Sequence, residues 1–461
     1  MTLPQSDFPQ ANRTFSLWQG IVLCLLLLLT AFGIWCHARP TLLILNGIFT
    51  LFYLLSTLHR ILVIHTALCK DAEIHVSAEE ISQIKEWPRY IILLPLFHEA
   101  EILPHLVQSL LQLDYPTEKL DIRLLIEEDD QETLSAAQGL ALPPHFHIIP
   151  IPYSLPRTKP KACNVALMQG EADFLVIYDA EDRPEPDQLK KAVCAFAKES
   201  QKTVCIQAKL DYENASTNLL TSCFGAEYDS WFGLCLPGLS ALNAPLPLGG
   251  TSNHFRLQAL RDAGGWDPYN VTEDCDLGLR IFEKGGQTKI LDSLTYEQAC
   301  DRLLPWLRQR SRWVKGYIQT WLVHTRNPLR LHRSLGFWNS IQFHLLIGGT
   351  FFSLLINPFY WLMTCIWILF RPTGVDSFFP PIIFAGSAFC LFAGNFIFLY
   401  ATAIACVRKK HQKLAKFTLL MPFYWLLMSL GAWKGFLQLF LRPHHWEKTP
   451  HFQVVTKQKW L

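Results

Sequence analysis

"ADFLVIYDAED", Ala172 to Asp182, is a short run of large apolar residues that ends in three carboxylates within four positions. An apolar run of this length, bounded by polar residues, reads as a buried strand. The same pattern recurs upstream. "DIRLLIEEDD" (Asp121 to Asp130) is a strand that ends in four consecutive acids, Glu127 to Asp130. "RYIILLPLF" (Arg89 to Phe97) precedes the helical periodicity of "HEAEILPHLVQSLLQL", and "HFHIIPIPY" precedes a helix carrying Lys161 and Asn164. Strands alternating with helices at this spacing predict an α/β domain with a parallel sheet, whose ligands gather at the carboxyl ends of the strands. One acid cluster on a loop is ordinarily a solvated turn. Two clusters following two apolar strands of one sheet point into the same crevice.

Around this domain the chain is too apolar to be soluble throughout. Half of its 461 residues are hydrophobic and only 17% are charged. Leu17–Cys36 and Thr41–Leu68 each offer about 20 predominantly apolar residues, joined by the tight "HARP", and both read as membrane spans. A cleaved signal peptide is a poorer reading of the first, which has little positive charge before it, no small-residue cleavage pattern and a second span directly after it. Phe343–Phe370 and Ile382–Val407 are two further spans. Basic residues favour the cytoplasmic side, so "VRKKHQKLAK" (Val407 to Lys416) places itself and the α/β domain inside. The tail "RPHHWEKTPHF" also reads as cytoplasmic, which makes Phe417–Leu441 a re-entrant or interfacial segment, helped by Gly431, ahead of a simple fifth crossing. The expected organisation is therefore an N-terminal hairpin (1–69), an α/β domain (70–300), amphipathic interface helices (301–340), C-terminal membrane segments (341–441) and a basic tail (442–461).

Several function classes drop out. A net charge of +2 argues against a nucleic-acid partner. The thirteen cysteines contain no C-x-x-C pair, which fits a reduced cytosolic domain rather than a disulfide framework or zinc site. The histidines of "PLFHEAEILPH" lack the H-E-x-x-H spacing, and Pro104 interrupts the helix.

In "YDAED", Asp179 and Glu181 stand at i and i+2, with Asp182 beside them. Magnesium or manganese on a diphosphate needs only one or two protein carboxylates. Lys161 can add positive charge. In "NVTEDCDLGLRIFEKGG", Thr272, Glu273 and Asp274 start a helix that Gly285 and Gly286 stop. An N-capping turn would explain those three residues without chemistry. "LRQRSRWVKGYIQTW" (Leu307 to Trp321) is a helix on which Gln309, Arg312 and Trp313 share one face, while Arg308, Arg310 and Lys315 read as snorkelling cations of a membrane-surface helix.

Taken in order, "IEEDD", "YDAED", "TED" and "QRSRW" resemble the signature of membrane-embedded family 2 glycosyltransferases of the cellulose-synthase and mannan-synthase-like group. "PLFHEAE", "LDYP", "KACN" and "GGTSNHFR" extend the likeness over about 89–325 and into the flanking spans. The resemblance implies a GT-A-like, Rossmann-like, mostly parallel sheet inserted between transmembrane helices of the plasma (inner) membrane. It implies inverting, processive transfer of a hexose from a UDP- or GDP-sugar to a growing β-linked polysaccharide, with export and possible export partners. By the same resemblance Glu99, Glu127 and Glu128 border the uridine pocket, and Lys161, Asp179 and Glu181 hold the divalent metal and phosphates. Asp274, with Glu273 beside it, is the general base. Arg312 binds the diphosphate, and Gln309, Trp313 and Thr272 meet the acceptor. The chain departs from the family in having two glutamates where two aspartates are common, and D-A-E-D in place of D-x-D, so that Glu181 or Asp182 takes the second metal position. No appended cyclic-nucleotide-sensing domain is expected after the last span. The competing reading is transfer of one sugar to a lipid-linked acceptor. A transporter would leave the acid clusters unexplained.

Overall fold

A computed structural model describes residues 8–371 and 374–445; most of the expected tail lies outside the described residues. Among the described residues nine strands form one sheet: β1 (Glu73–Ile74), β2 (Tyr90–Leu96), β3 (Leu120–Glu127), β4 (Phe146–Ile151), β5 (Phe174–Ile177), β6 (Arg183–Pro184), β7 (Thr203–Tyr212), β8 (Asn253–Arg256) and β9 (Gln287–Glu297). Their order is β1-β9-β7-β8-β5-β2-β3-β4, with β6 paired to β9. Neighbours are parallel except where β8 runs against β5 and β7, and β6 against β9. This is the mostly parallel α/β sheet expected, with one reversed strand in its middle.

Alternation along β2 shows why the sheet has two covered faces. Tyr90, Ile92, Leu94 and Leu96 enter one apolar core, and Ile91 and Leu93 enter the other. A strand buried on both sides must be apolar throughout. Parallel pairing of β2 with both β3 and β5 then brings the residues after Leu96, Glu127 and Ile177 to one edge of the sheet.

The helices around the sheet include α1 (Leu17–Cys69), α2 (Lys159–Leu167), α3 (Leu219–Ser230), α4 (Glu273–Glu283), α5 (Leu303–His324), α6 (Pro328–Phe343), α7 (Gly349–Phe370), α8 (Asn395–Arg408) and α9 (Met421–Leu441). Four helical stretches among the described residues are long and apolar enough to cross a membrane. The first is α1, whose 53 residues would span about 80 Å if straight. It is broken at His37 (φ −148°, ψ 67°). A Cβ on Gly33 would lie 2.8 Å from Thr41 Oγ1, so the chain doubles back there. Its start is tied to α5, where the Gln19 amide donates to the Leu322 carbonyl at 2.8 Å, and Val63 near its end packs in the core of the α/β domain.

Gly336 turns α6 toward the span α7 with a positive φ (74°) that favours glycine. Helix α9 lies along α5 instead of standing apart from it. Gly431 packs on Arg310, Gly435 on the Ser311 carbonyl, and the Pro443 and His445 carbonyls accept hydrogen bonds from Gln319 and Lys315.

Candidate active site

The strand β5 delivers the "YDAED" turn to the sheet edge, and Asp182 closes that turn. Its carboxylate accepts from the Asp179 N–H at 2.6 Å and from the Thr251 hydroxyl. Burial, then the charges of Asp179 and Glu181, push Asp182 well above the usual carboxylate range. Asp182 is thus committed inward, which leaves Asp179 and Glu181 as the outward pair. Asp179 Oδ1 receives the Lys159 ammonium at 2.5 Å, and the same ammonium donates to the Gly250 carbonyl at 2.7 Å.

Lys159, which the sequence reading did not name, stands beside Asp179, while Lys161 lies toward the end of β3. Lys161 instead donates to Glu127 at 3.0 Å and to the Pro152 carbonyl at 2.9 Å. Both lysines start α2, but two residues are about 200° apart around a helix, so they serve opposite sides. Asn164 on the same helix is structural, exchanging hydrogen bonds with the Trp266 backbone.

At the end of β3, Glu127 is buried against Lys161, whereas Glu128 is exposed. Asp130, which the sequence reading left without a role, joins the two neighbouring motifs. It accepts from the His98 N–H at 2.6 Å and from the Thr133 N–H, while the Thr133 hydroxyl accepts from the Glu99 N–H. Burial alone would raise its pKa; those N–H groups outweigh burial and hold it below the ordinary value. His98 adopts φ +53°, so this tie holds "FHE" in a left-handed turn beside the acids. Arg157 stacks over Phe97 at 4.7 Å and pairs with Asp129, a second feature not anticipated.

The "TED" segment starts α4, but not as a capping turn. Thr272 makes no side-chain cap hydrogen bond, and Gly316 of α5 packs against its side chain. Asp274 lies beside Gly250, where a Cβ would come within 3.3 Å of its Oδ2. The Asp179–Lys159–Gly250 chain of contacts therefore ends at Asp274. Burial raises the pKa of both Glu273 and Asp274, and Lys159 and Arg312 pull against it. Arg312 feels Glu273, Asp179 and Asp274 together. Glu297, at the end of β9, is another acid missed in the sequence. Burial and then the acids of the "YDAED" turn raise it well above the usual range.

Helix α5 carries the last motif. Gln309, Arg312 and Trp313 are half-buried, and the Gln309 amide oxygen is buried without a partner. Trp313 packs near Phe224 and stacks on Tyr228 at 6.4 Å. The snorkelling assignment fails for two cations. Arg310 is 3% exposed, forks onto Glu227, donates to the Tyr424 hydroxyl at 2.7 Å and lies 4.6 Å over Trp313; Lys315 is fully buried against the chain after α9. Helix α9 covers the face those side chains would need in order to reach water. Arg308 is exposed.

Comparison with known proteins gives a consistent family. A model of glycosyl transferase family group 2 matches residues 174–379, and one of glycosyl transferase family 2 matches 91–242. A probable glycosyltransferase of Bacillus subtilis, YdaM, is 24% identical over 277 residues, 58% of this chain and 66% of that protein. Glucomannan 4-beta-mannosyltransferase 2 of Arabidopsis thaliana is 23% identical over 297 residues, 63% of this chain. The match spans 54% of that relative's length. The fold is similar to that of the mannosyltransferase PcManGT from Pyrobaculum calidifontis, solved with GDP-Man and Mn2+, at a TM-score of 0.55 and 16% identity, covering 87% of this chain and 99% of that one.

Proposed function

The chain belongs to family 2 of the glycosyltransferases, and on that premise we propose that it extends a β-linked polysaccharide by inverting transfer of hexose from a UDP- or GDP-sugar. The observation that carries the proposal is the convergence of Asp179, Asp274 and Arg312, from a strand end, a helix start and an interface helix, on one site. Mannosyl donors come first among the candidates, because two of the compared proteins are named as mannosyltransferases.

The donor's base would lie over the edge formed by Glu99, Glu127 and Glu128, with the diphosphate toward Asp179 and Arg312. Asp179 and Glu181 fit a divalent cation, magnesium or manganese: both are hard carboxylates, and Asp179 already holds a cationic group in this structure. Such a cation supplies charge neutralisation to the leaving diphosphate. Arg312 adds a planar fork suited to phosphate oxygens.

Asp274 takes the proton from an acceptor hydroxyl while that oxygen forms its bond to the anomeric carbon. The bond from that carbon to the diphosphate oxygen breaks on the opposite face, and the configuration inverts. A carboxyl raised toward neutral pH by burial is suited to this role. Trp313 offers an aromatic face to the acceptor sugar, whose C–H surface is apolar. The α5 helix leads through α6 into α7, which supports passage of the product into the membrane segments.

Product analysis of the purified full chain, with a panel of radiolabelled nucleotide sugars, tests the proposal. Long β-linked polymer, abolished by chelator and by Asp179→Ala, is expected. A single sugar added to a lipid would replace processive synthesis with lipid-linked transfer.

A further inference from the structure

We infer that the Lys159 ammonium is a resident counter-cation of the donor site, which holds Asp179 until a divalent cation and the donor arrive and then passes to the donor's diphosphate. The inference rests on the reading of Asp179 as a metal ligand. An ammonium has three donors and no acceptor, and here two point at Asp179 Oδ1 (2.5 Å) and the Gly250 carbonyl (2.7 Å). The side chain is mostly buried, and its root is held, since the Thr158 hydroxyl before it donates to the Pro268 carbonyl at 3.0 Å.

Asp179, Glu273 and Asp274 act on the two cations of the site, Lys159 and Arg312. A divalent cation sharing Asp179 with an ammonium at hydrogen-bond distance would place two like charges within a few ångströms in a largely desolvated site. Their repulsion favours release of one of them. Lys159 is the mobile one, a compact charge on a flexible four-carbon stem. The Gly250 carbonyl it would keep or abandon is neutral and Glu273 already acts on the ammonium, so the new anion that arrives with the metal, the donor diphosphate, is the acceptor it gains. Metal and nucleotide should consequently bind with positive coupling, because the nucleotide receives the ammonium that the metal displaces.

Mn2+ is the probe, with GDP and UDP as the nucleotides, titrated into the detergent-solubilised full chain by calorimetry and followed by the Mn2+ paramagnetic resonance signal. The parent should bind Mn2+ weakly alone and more tightly with nucleotide. Lys159→Gln should bind Mn2+ alone about tenfold to a hundredfold more tightly, the range of one charge-assisted hydrogen bond, and show less strengthening by nucleotide. Lys159→Arg keeps the charge and should resemble the parent, which separates lost charge from local damage. Parent-like Mn2+ affinity in Lys159→Gln, or equal tightening in Lys159→Arg, overturns the inference. If Asp179→Ala abolishes Mn2+ binding while Lys159→Gln leaves it unchanged, only this inference falls. If the parent binds no Mn2+ even with nucleotide, the metal reading falls with it.

Discussion

Individual side chains carry the chemistry, and Asp274 gives the sharpest test. Burial raises its pKa to about 6, and a general base works only when ionised. Turnover should therefore fall as pH drops through about 6, while donor binding persists. Asp274→Asn keeps the shape and should lose about 10²- to 10⁴-fold in turnover with donor affinity retained, measured by calorimetry beside initial rates. Near-normal turnover would remove the assignment. Trp313→Ala should spare donor binding and slow donor hydrolysis while shortening the polymer, because the ring stands among Tyr228, Phe224 and Arg310. Full-length product from Trp313→Ala would refute it. Arg310 shows how a residue's neighbour in sequence can mislead: it sits inside "QRSRW", yet its fork is spent on Glu227, 83 positions away.

Among elements, the packing of α4 against α5 decides whether these residues meet. Gly316 has no room for a side chain, since a Cβ would overlap Thr272. Gly316→Ala should force α5 from the "TED" segment at a cost of about 1–3 kcal/mol, seen as a lowered melting temperature with reduced activity. His324 at the end of α5 joins that helix to both ends of α4, its ring nitrogens lying 2.9 Å from Asp276 and 3.0 Å from Glu283. Burial opposes its charge, but the two carboxylates prevail and raise its pKa to about 9. A folded pKa above the unfolded value of about 6.5 means that this stabilisation is complete below pH ~6.5 and is lost as pH rises through about 9. Melting temperatures taken between pH 6 and 10 should show that loss in the parent and not in His324→Gln.

For the whole molecule the question is which side of the membrane each part occupies. The loop after α8 is bound to the α/β domain, with Lys409 3.4 Å and His411 3.0 Å from Asp229. Asp211, Asp229 and His411 are close enough for a metal ion, but the nearby lysine already offsets carboxylate charge there. Because α9 runs beside α5 and its end is held by Gln319 and Lys315, the chain at Arg442 should share the side of the α/β domain. Cysteines introduced at Lys410 and Arg442 should both resist an impermeant reagent in intact cells and react after permeabilisation. Rapid labelling of the second alone would make α9 a crossing helix.

Local pattern was enough for the strands, because a run such as "DFLVI" can hide its side chains only between two covered faces, and for the long apolar helices, whose length and composition need no partner to be read. The motif order was legible too, through the resemblance to glycosyltransferases. What the chain alone could not decide was which partner each of two nearby charges takes. Lys159 against Lys161, Asp182 against Glu181, and Arg310 against Arg312 each differ by one or two positions, and their roles are set by Gly250, Thr251 and Glu227, which are distant in sequence. Periodicity reports the angle between two residues on one element; only tertiary packing supplies the partner that makes one direction the site and the other the core.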